Sequence, residues 1–203
     1  MAINYIGSAS SSNSSIINLT SIAMQPDDIV VIISGQDTGA PALASGYTSI
    51  DVTSSDGDIR YMYKIMPNPV DSSATGLTNA SDCGHLAMVF RGVDTSNPIN
   101  EFETATSSTN SDPDSPSITS TVNGAMIISM GFLDDDLIST PTPPSGFTLG
   151  SFNTFGSSGS GGSVMGAYFS QTTAGSINPG VWNTSGSDWW GAITIALTPA
   201  AAA

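Results

Sequence analysis

Asp28-Ile29-Val30-Val31-Ile32-Ile33-Ser34 sets five consecutive β-branched apolar residues between polar ends, and it returns in altered form as Gly124-Ala125-Met126-Ile127-Ile128-Ser129-Met130. A short run that is apolar at every position suits a strand covered on both faces, since alternation disappears when neither face meets water. The two runs stand 96 residues apart. Working outward from them, Ser45-Gly46-Tyr47-Thr48 returns as Ser145-Gly146-Phe147-Thr148, at 100. The stretch Ile59-Arg60-Tyr61-Met62-Tyr63 aligns with Val164-Met165-Gly166-Ala167-Tyr168 at 105, and Ser81-Asp82-Cys83 with Ser187-Asp188-Trp189 at 106. Four collinear matches with a growing offset are the pattern of a duplicated unit whose second copy has gained loop residues. The added residues fall at Pro141-Thr142-Pro143-Pro144 and in the Gly/Ser tract from Gly156 to Ser163.

Each copy reads as a series of short strands separated by Gly, Pro, Asp and Ser clusters, which points to an all-β, antiparallel sandwich or jelly-roll-like fold. Tyr61, Tyr63 and Ile65 alternate with Arg60, Met62 and Lys64, the period of a half-exposed strand. In the last strand Trp190, Ala192, Thr194 and Ala196 face away from Gly191, Ile193, Ile195 and Leu197. Ser-Gly before an aromatic marks a tight turn in which Gly takes positive φ and feeds Tyr47 or Phe147 into the core. The boundary falls at Asn97-Pro98, giving repeats 1–97 and 98–203, expected to pack together as one pseudo-symmetric domain.

Composition bounds the partners. Seventeen acidic residues face three basic ones, Arg60, Lys64 and Arg91, for a net charge of -14. Nucleic-acid backbones and anionic lipids are both excluded as partners, because each needs many cations to displace counterions. No run approaches the roughly 18 apolar residues of a membrane helix. The N-terminal residues Met1-Ala2-Ile3-Asn4-Tyr5 carry no basic or apolar signal-peptide region, so synthesis in a host cytoplasm without export is expected. Sequons at Asn13, Asn18, Asn79 and Asn183 then follow from a Ser/Thr-rich composition.

Phe90-Arg91-Gly92-Val93-Asp94-Thr95-Ser96-Asn97-Pro98-Ile99 resembles the junction of a duplicated β-sandwich module. Pro144 to Thr148 and Ser187 to Trp189 resemble that module's turns, and the likeness spans roughly residues 17–199. Such modules occur in bacteriophage virion proteins and in bacterial surface proteins. The first copy departs from the pattern at Cys83, which stands where the second has Trp189, and at Ala42-Leu43-Ala44. The resemblance implies fold and context and transfers no catalytic residue.

Chemistry-bearing residues are sparse. The lone histidine, His85, follows Asp82 and Cys83, but strand geometry sends neighbours to opposite faces, so it reads as structural. One His and one Cys cannot close a zinc site, and the single cysteine reads as a small packed residue. Glu101 and Glu103 share a strand face instead of opposing each other across a cleft, which disfavours glycoside hydrolysis. Acidic clusters at Asp56 and Asp58, at Asp112 and Asp114, and at Asp134, Asp135 and Asp136 offer oxygen ligands, with the last the best candidate for Ca²⁺. No other cofactor is expected. Trp182, Trp189 and Trp190 serve either a core or a sugar platform.

These readings converge on a non-enzymatic virion-surface protein, most concretely a capsid decoration protein. It would bind the major capsid protein or other virion proteins, and would itself be a homo-oligomer. The alternative is a tail or surface adhesin that recognises host glycans through Tyr47, Phe147, Trp182 and the Gly/Ser loop.

Overall fold

The computed structural model describes residues 1–37, 39–54, 58–156 and 161–201, so Asp56 and positions 157–160 of the Gly/Ser tract lie outside the described residues. The strands of the first half are β1 (Asn4–Ser12), β2 (Ile16–Asn18), β3 (Ile29–Gln36), β4 (Thr48–Ser54), β5 (Asp58–Ile65), β6 (Ser73–Thr75) and β7 (Cys83–Arg91). Those of the second half are β8 (Ile99–Ser111), β9 (Asp114–Ser115), β10 (Ile118–Ser120), β11 (Ala125–Leu133), β12 (Thr148–Phe155), β13 (Gly162–Gln171), β14 (Gly175–Ile177), β15 (Gly180–Val181) and β16 (Asp188–Leu197). No helix occurs among the described residues.

Two five-stranded antiparallel sheets carry the fold, ordered β1-β7-β3-β5-β4 and β12-β13-β11-β16-β8. The inward residues of both interlock in one core that includes Ile29, Val31, Ile33, Leu86, Met88 and Phe90 from one sheet, and Ile128, Met130, Phe132, Ile193, Ile195 and Leu197 from the other. Each large sheet is filled from one half of the chain. The strand exchange of a jelly roll is thus replaced by two self-contained sheets stacked face to face.

The outer faces are covered as well. The β2–β6 ribbon and its loops bury Val30, Ile32, Met62, Ala87 and Val89 of the first sheet beneath Ile17, Leu19 and Leu77. The β10–β14 and β9–β15 ribbons flank the second sheet, whose outer apolar residues form two clusters, one around Met165, Trp182, Trp190 and Ala192, the other around Ile118, Ile127 and Ala196. This covering explains why β3 and β11 are buried at every position. It also corrects the expectation of a half-exposed β5, because Met62 is wholly buried against the first ribbon.

The two sheets share one strand order and, in detail, one register. Matching β3 to β11 at an offset of 97 puts Ile29, Val31 and Ile33 over Met126, Ile128 and Met130, all facing the shared core. Matching β7 to β16 at 107 puts Leu86, Met88 and Phe90 over Ile193, Ile195 and Leu197. The offsets of 96 and 106 drawn from the sequence are each one residue short. That slip exchanges the two faces of a strand, and would set Ala125, which packs outward, in the place of Ile29. The offsets of 100 and 105 agree with the pairing of β4 with β5 and β12 with β13, including a bulge at Ser49/Asp51 and another at Leu149/Ser151. Gly46 and Gly146 hold φ of 77° and 85°, the left-handed turn a side chain would strain.

Candidate interaction surface

The two sides of the sandwich are closed differently. Where β1 lies over β12, Tyr5 Oη and Ser12 Oγ donate to the carbonyls of Gly150 and Thr154 at 3.2 and 3.1 Å. Asn153 Nδ2 donates to Ser11 O at 3.0 Å and to Ser12 Oγ at 2.9 Å, and the Tyr5 ring stacks on Tyr168 with centroids 4.5 Å apart. Sheet is stitched to sheet along the whole strand. That side is sealed.

The opposite side, between edge strands β4 and β8, is open. Among the described residues one hydrogen bond crosses it, from Thr104 Oγ1 to Asp51 Oδ2 at 2.8 Å. On either side lie two hollows of about 350 and 310 Å³, the first lined by Val52, Thr53, Thr104 and Thr106, the second by Ile50, Tyr63, Pro98, Ile99 and Phe102. Phe102 and Val52 remain 37% and 38% exposed. Glu101 and Glu103 are exposed beside Phe102, as their shared strand face requires.

A second, more polar feature sits at one end. A cleft of about 680 Å³ is lined by Ser111, Asp112, Asp114, Val181, Thr184, Ser185, Ser187 and Trp190. Asp112 Oδ1 accepts from the Thr184 amide and hydroxyl, fixing one wall, while Trp190 Nε1 donates to Ser111 Oγ at 2.8 Å to fix the floor. Asp114 and Val181 are exposed at the rim.

The residues singled out for glycan contact are not brought together. Trp182 is wholly buried, its Nε1 donating to Ser129 Oγ at 3.1 Å, so it is a core residue and offers no platform to a sugar. Tyr47 is also buried, in the outer core of the first sheet with Lys64 Nζ 5.7 Å above its ring, and burial raises its phenol pKa. Phe147 is half-buried, tilted against Phe169. Of the candidates from the sequence, only Asp112, Asp114 and Trp190 line the end cleft, and Trp190 is nearly covered.

Asp134, Asp135 and Asp136 do not converge. The Asp135 carboxylate lies against Gly186 and the Asp136 carboxylate against Gly161, while the Asp134 amide donates to Trp189 O. Among the described residues no three His, Cys, Asp or Glu side chains group as a metal site would require.

His85 and Cys83 sit two residues apart on β7 and share a face, contrary to the separation expected from the sequence, with Nε2 3.7 Å from Sγ. Both are wholly buried. Ser34 Oγ donates to Nδ1 at 2.6 Å, and Nε2 reaches the Thr78 carbonyl at 3.0 Å. A carbonyl only accepts, so the proton is on Nε2, the nitrogen nearest the sulfur. The imidazole therefore presents a donor to Cys83, and the thiol spends its own proton on the carbonyls of Thr78 and Ala80. Burial lowers the His85 pKa and keeps the ring neutral. This is a satisfied structural network and not a base poised beside a nucleophile.

No protein family, curated protein or solved structure matches the chain.

Proposed function

We propose that the chain is a duplicated, non-catalytic β-sandwich that decorates the outer shell of a bacteriophage capsid through protein–protein contacts. The observation that carries this reading is the asymmetry of the sandwich. One side is stitched by side-chain hydrogen bonds, and the other leaves edge strands, Phe102 and Val52 uncovered. A fold that covers both outer sheet faces with ribbons yet leaves one lateral opening has a place for a partner there. The duplication is supported by matching strand order, register and bulge position in the two halves. The net charge of -14 suits a face turned to solvent on a crowded particle, where like charge prevents sticking.

Quantitative mass spectrometry of purified particles tests it. A copy number close to that of the major capsid protein is expected, and absence from particles would end the proposal. The end cleft favours a second reading, a glycan-binding tail or surface adhesin, since hydroxyls and carboxylates beside the apolar surface of Val181 and Trp190 are groups that hold sugars. That reading predicts a handful of copies per particle and glycan-array binding lost on Asp114→Asn.

A further inference from the structure

Among the described residues β8 has a strand neighbour on one side only, β16. The Phe102 amide donates to the carboxylate of Glu101 at 3.3 Å, so it points away from β16 toward the open side. In an antiparallel ladder, residues alternate in turning both backbone groups toward a neighbour or away from it. Thr104 and Thr106 therefore present their N–H and C=O groups to the same free edge as Phe102. Beyond them the strand looks after itself, with Ser107 Oγ accepting from the Thr109 amide and Ser111 Oγ donating to the Thr109 carbonyl. The open ladder is the stretch from Phe102 to Thr106.

Exposed edges in natural sheets are blunted by Lys, Pro or an inward-pointing charge. β8 has no Lys or Pro, and its two charges, Glu101 and Glu103, lie on the outer face. On the core side the slot carries Asp51 and the apolar surface of Phe102 and Ile50. Every basic side chain is engaged elsewhere. Lys64 pairs with Asp71, and Arg91 makes a forked pair with Asp28. Arg60 donates to Pro41 O and Ser49 Oγ, on the outer face of the first sheet. A second copy laid on β8 would add another net charge of -14 and no free cation.

We infer that the free edge of β8 from Phe102 to Thr106 takes an added β-strand from a partner protein, one whose side chains alternate Lys or Arg with apolar residues. Its backbone completes the ladder at Phe102, Thr104 and Thr106. Its cations meet Glu101 and Glu103 on the outer face, and its apolar side chains enter the slot beside Phe102. Glu101 releases the Phe102 amide to a partner carbonyl and turns to a partner cation. The inference rests on the decoration reading for its biological setting and names the contact by which the particle would be held.

The probe is a capped Lys-Val-Lys-Thr-Lys-Val-Lys peptide, with a control carrying Glu for every Lys, each titrated into the ¹⁵N-labelled full chain. The expected result is slowed amide exchange at Phe102, Thr104 and Thr106 with the Lys peptide and none with the Glu peptide. Glu101→Gln/Glu103→Gln, which alters no buried group, weakens binding about 2- to 30-fold, the range for two exposed ion pairs. Thr104→Pro, which removes an outward N–H at an edge where proline is tolerated, abolishes it. Equal binding of both peptides, or binding that leaves those amides unchanged, overturns the inference. So does protection of the same amides in a peptide-free sample that sediments as a dimer, which would make a second copy the occupant. If the peptide fails while the protein still co-purifies with particles, strand addition falls alone. If the peptide binds as expected but the protein is absent from particles, strand addition stands and only the decoration reading falls.

Discussion

Gly84→Ala is the smallest change that should wedge the two sheets apart. Gly84 and Gly35 are cross-strand partners on β7 and β3, and both present bare backbone to the second sheet. A Cβ on Gly84 would lie 1.9 Å from Phe155 Cδ1, where ordinary contact begins near 3.4 Å, and one on Gly35 would lie 2.3 Å from Phe132 Cδ2. Phe155 has no room to retreat. Its ring stacks on Phe132 at 6.2 Å, and Phe132 is itself held between Gly35 and Trp189, whose ring is 5.4 Å away. Relief requires an off-rotamer Phe155 or a local parting of the sheets, about 1–3 kcal/mol or more, a large part of a total of about 5–15 kcal/mol. The backbone at Gly84 is outside the left-handed region, so alanine there is not strained and gains about 0.5–1 kcal/mol in chain entropy. The loss is therefore one of packing, and a double-mutant cycle isolates it. Phe155→Ala alone costs about 3–5 kcal/mol, but on that background Gly84→Ala has space and becomes neutral or mildly stabilising. The expected coupling is about 1.5–3 kcal/mol, read from urea denaturation followed by tryptophan fluorescence at unchanged m. Equal cost of Gly84→Ala in both backgrounds would refute the close approach of the sheets.

Trp182→Ala should destabilise by about 3–5 kcal/mol and Trp182→Phe by about 1 kcal/mol, since Ser129 keeps its bond to Ser115; an unshifted thermal midpoint for Trp182→Ala would mean that the residue is not in the core. Arg91→Met strands the buried Asp28 carboxylate and should cost about 3–5 kcal/mol, most of it recovered in Asp28→Asn/Arg91→Met; no recovery in the double variant, by chemical denaturation, would count against this pair. His85 should make the fold acid-sensitive. Burial depresses its folded pKa, so below about pH 6.5 the unfolded chain binds a proton that the folded chain refuses. Its contribution is complete above that pH and is lost as pH falls toward the depressed folded value; His85→Gln should flatten this part of the stability profile, and an unchanged slope would mean the ring is not buried neutral.

Sequence alone carried the class of fold, because five β-branched residues in a row and repeated turn chemistry are local signals. It did not carry strand faces at the level of one residue. Ala125 and Ile29 align by eye because both open an apolar run, yet the sheet pairs Ile29 with Phe90 and Met126 with Leu197, which fixes the match one position later. In fully buried strands both faces are apolar, so composition gives no parity and only the ladder decides. The same covering decides between the core and surface readings of Tyr47 and Trp182, since short ribbons bury outer faces that a two-sheet sandwich would leave to solvent. The open side was illegible for another reason: its recognition groups are backbone N–H and C=O, which every residue has.

Register also places β1 and β8 in equivalent edge positions, with Tyr5 over Ile99 and Gly7 over Glu101 on either side of a shared bulge. If the halves are copies, that pair of edges has parted in character. Gly7-Ser8-Ala9-Ser10 of β1 closes onto β12 with small side chains and hydroxyls, whereas Glu101-Phe102-Glu103-Thr104 of β8 keeps charge and an aromatic at a side without a lid. On the central strands the matched core positions Ile29, Val31, Leu86 and Met88 stay apolar as Met126, Ile128, Ile193 and Ile195. Divergence at this edge, toward residues that hinder closure and favour an oppositely charged strand, is what selection for a partner there would leave. Grafting the β1 residues Gly7 to Ser10 onto positions 101 to 104 should therefore spare folding and remove binding of the Lys peptide; a graft that unfolds the sandwich would mean that β8 is shaped by its own sheet and not by a partner.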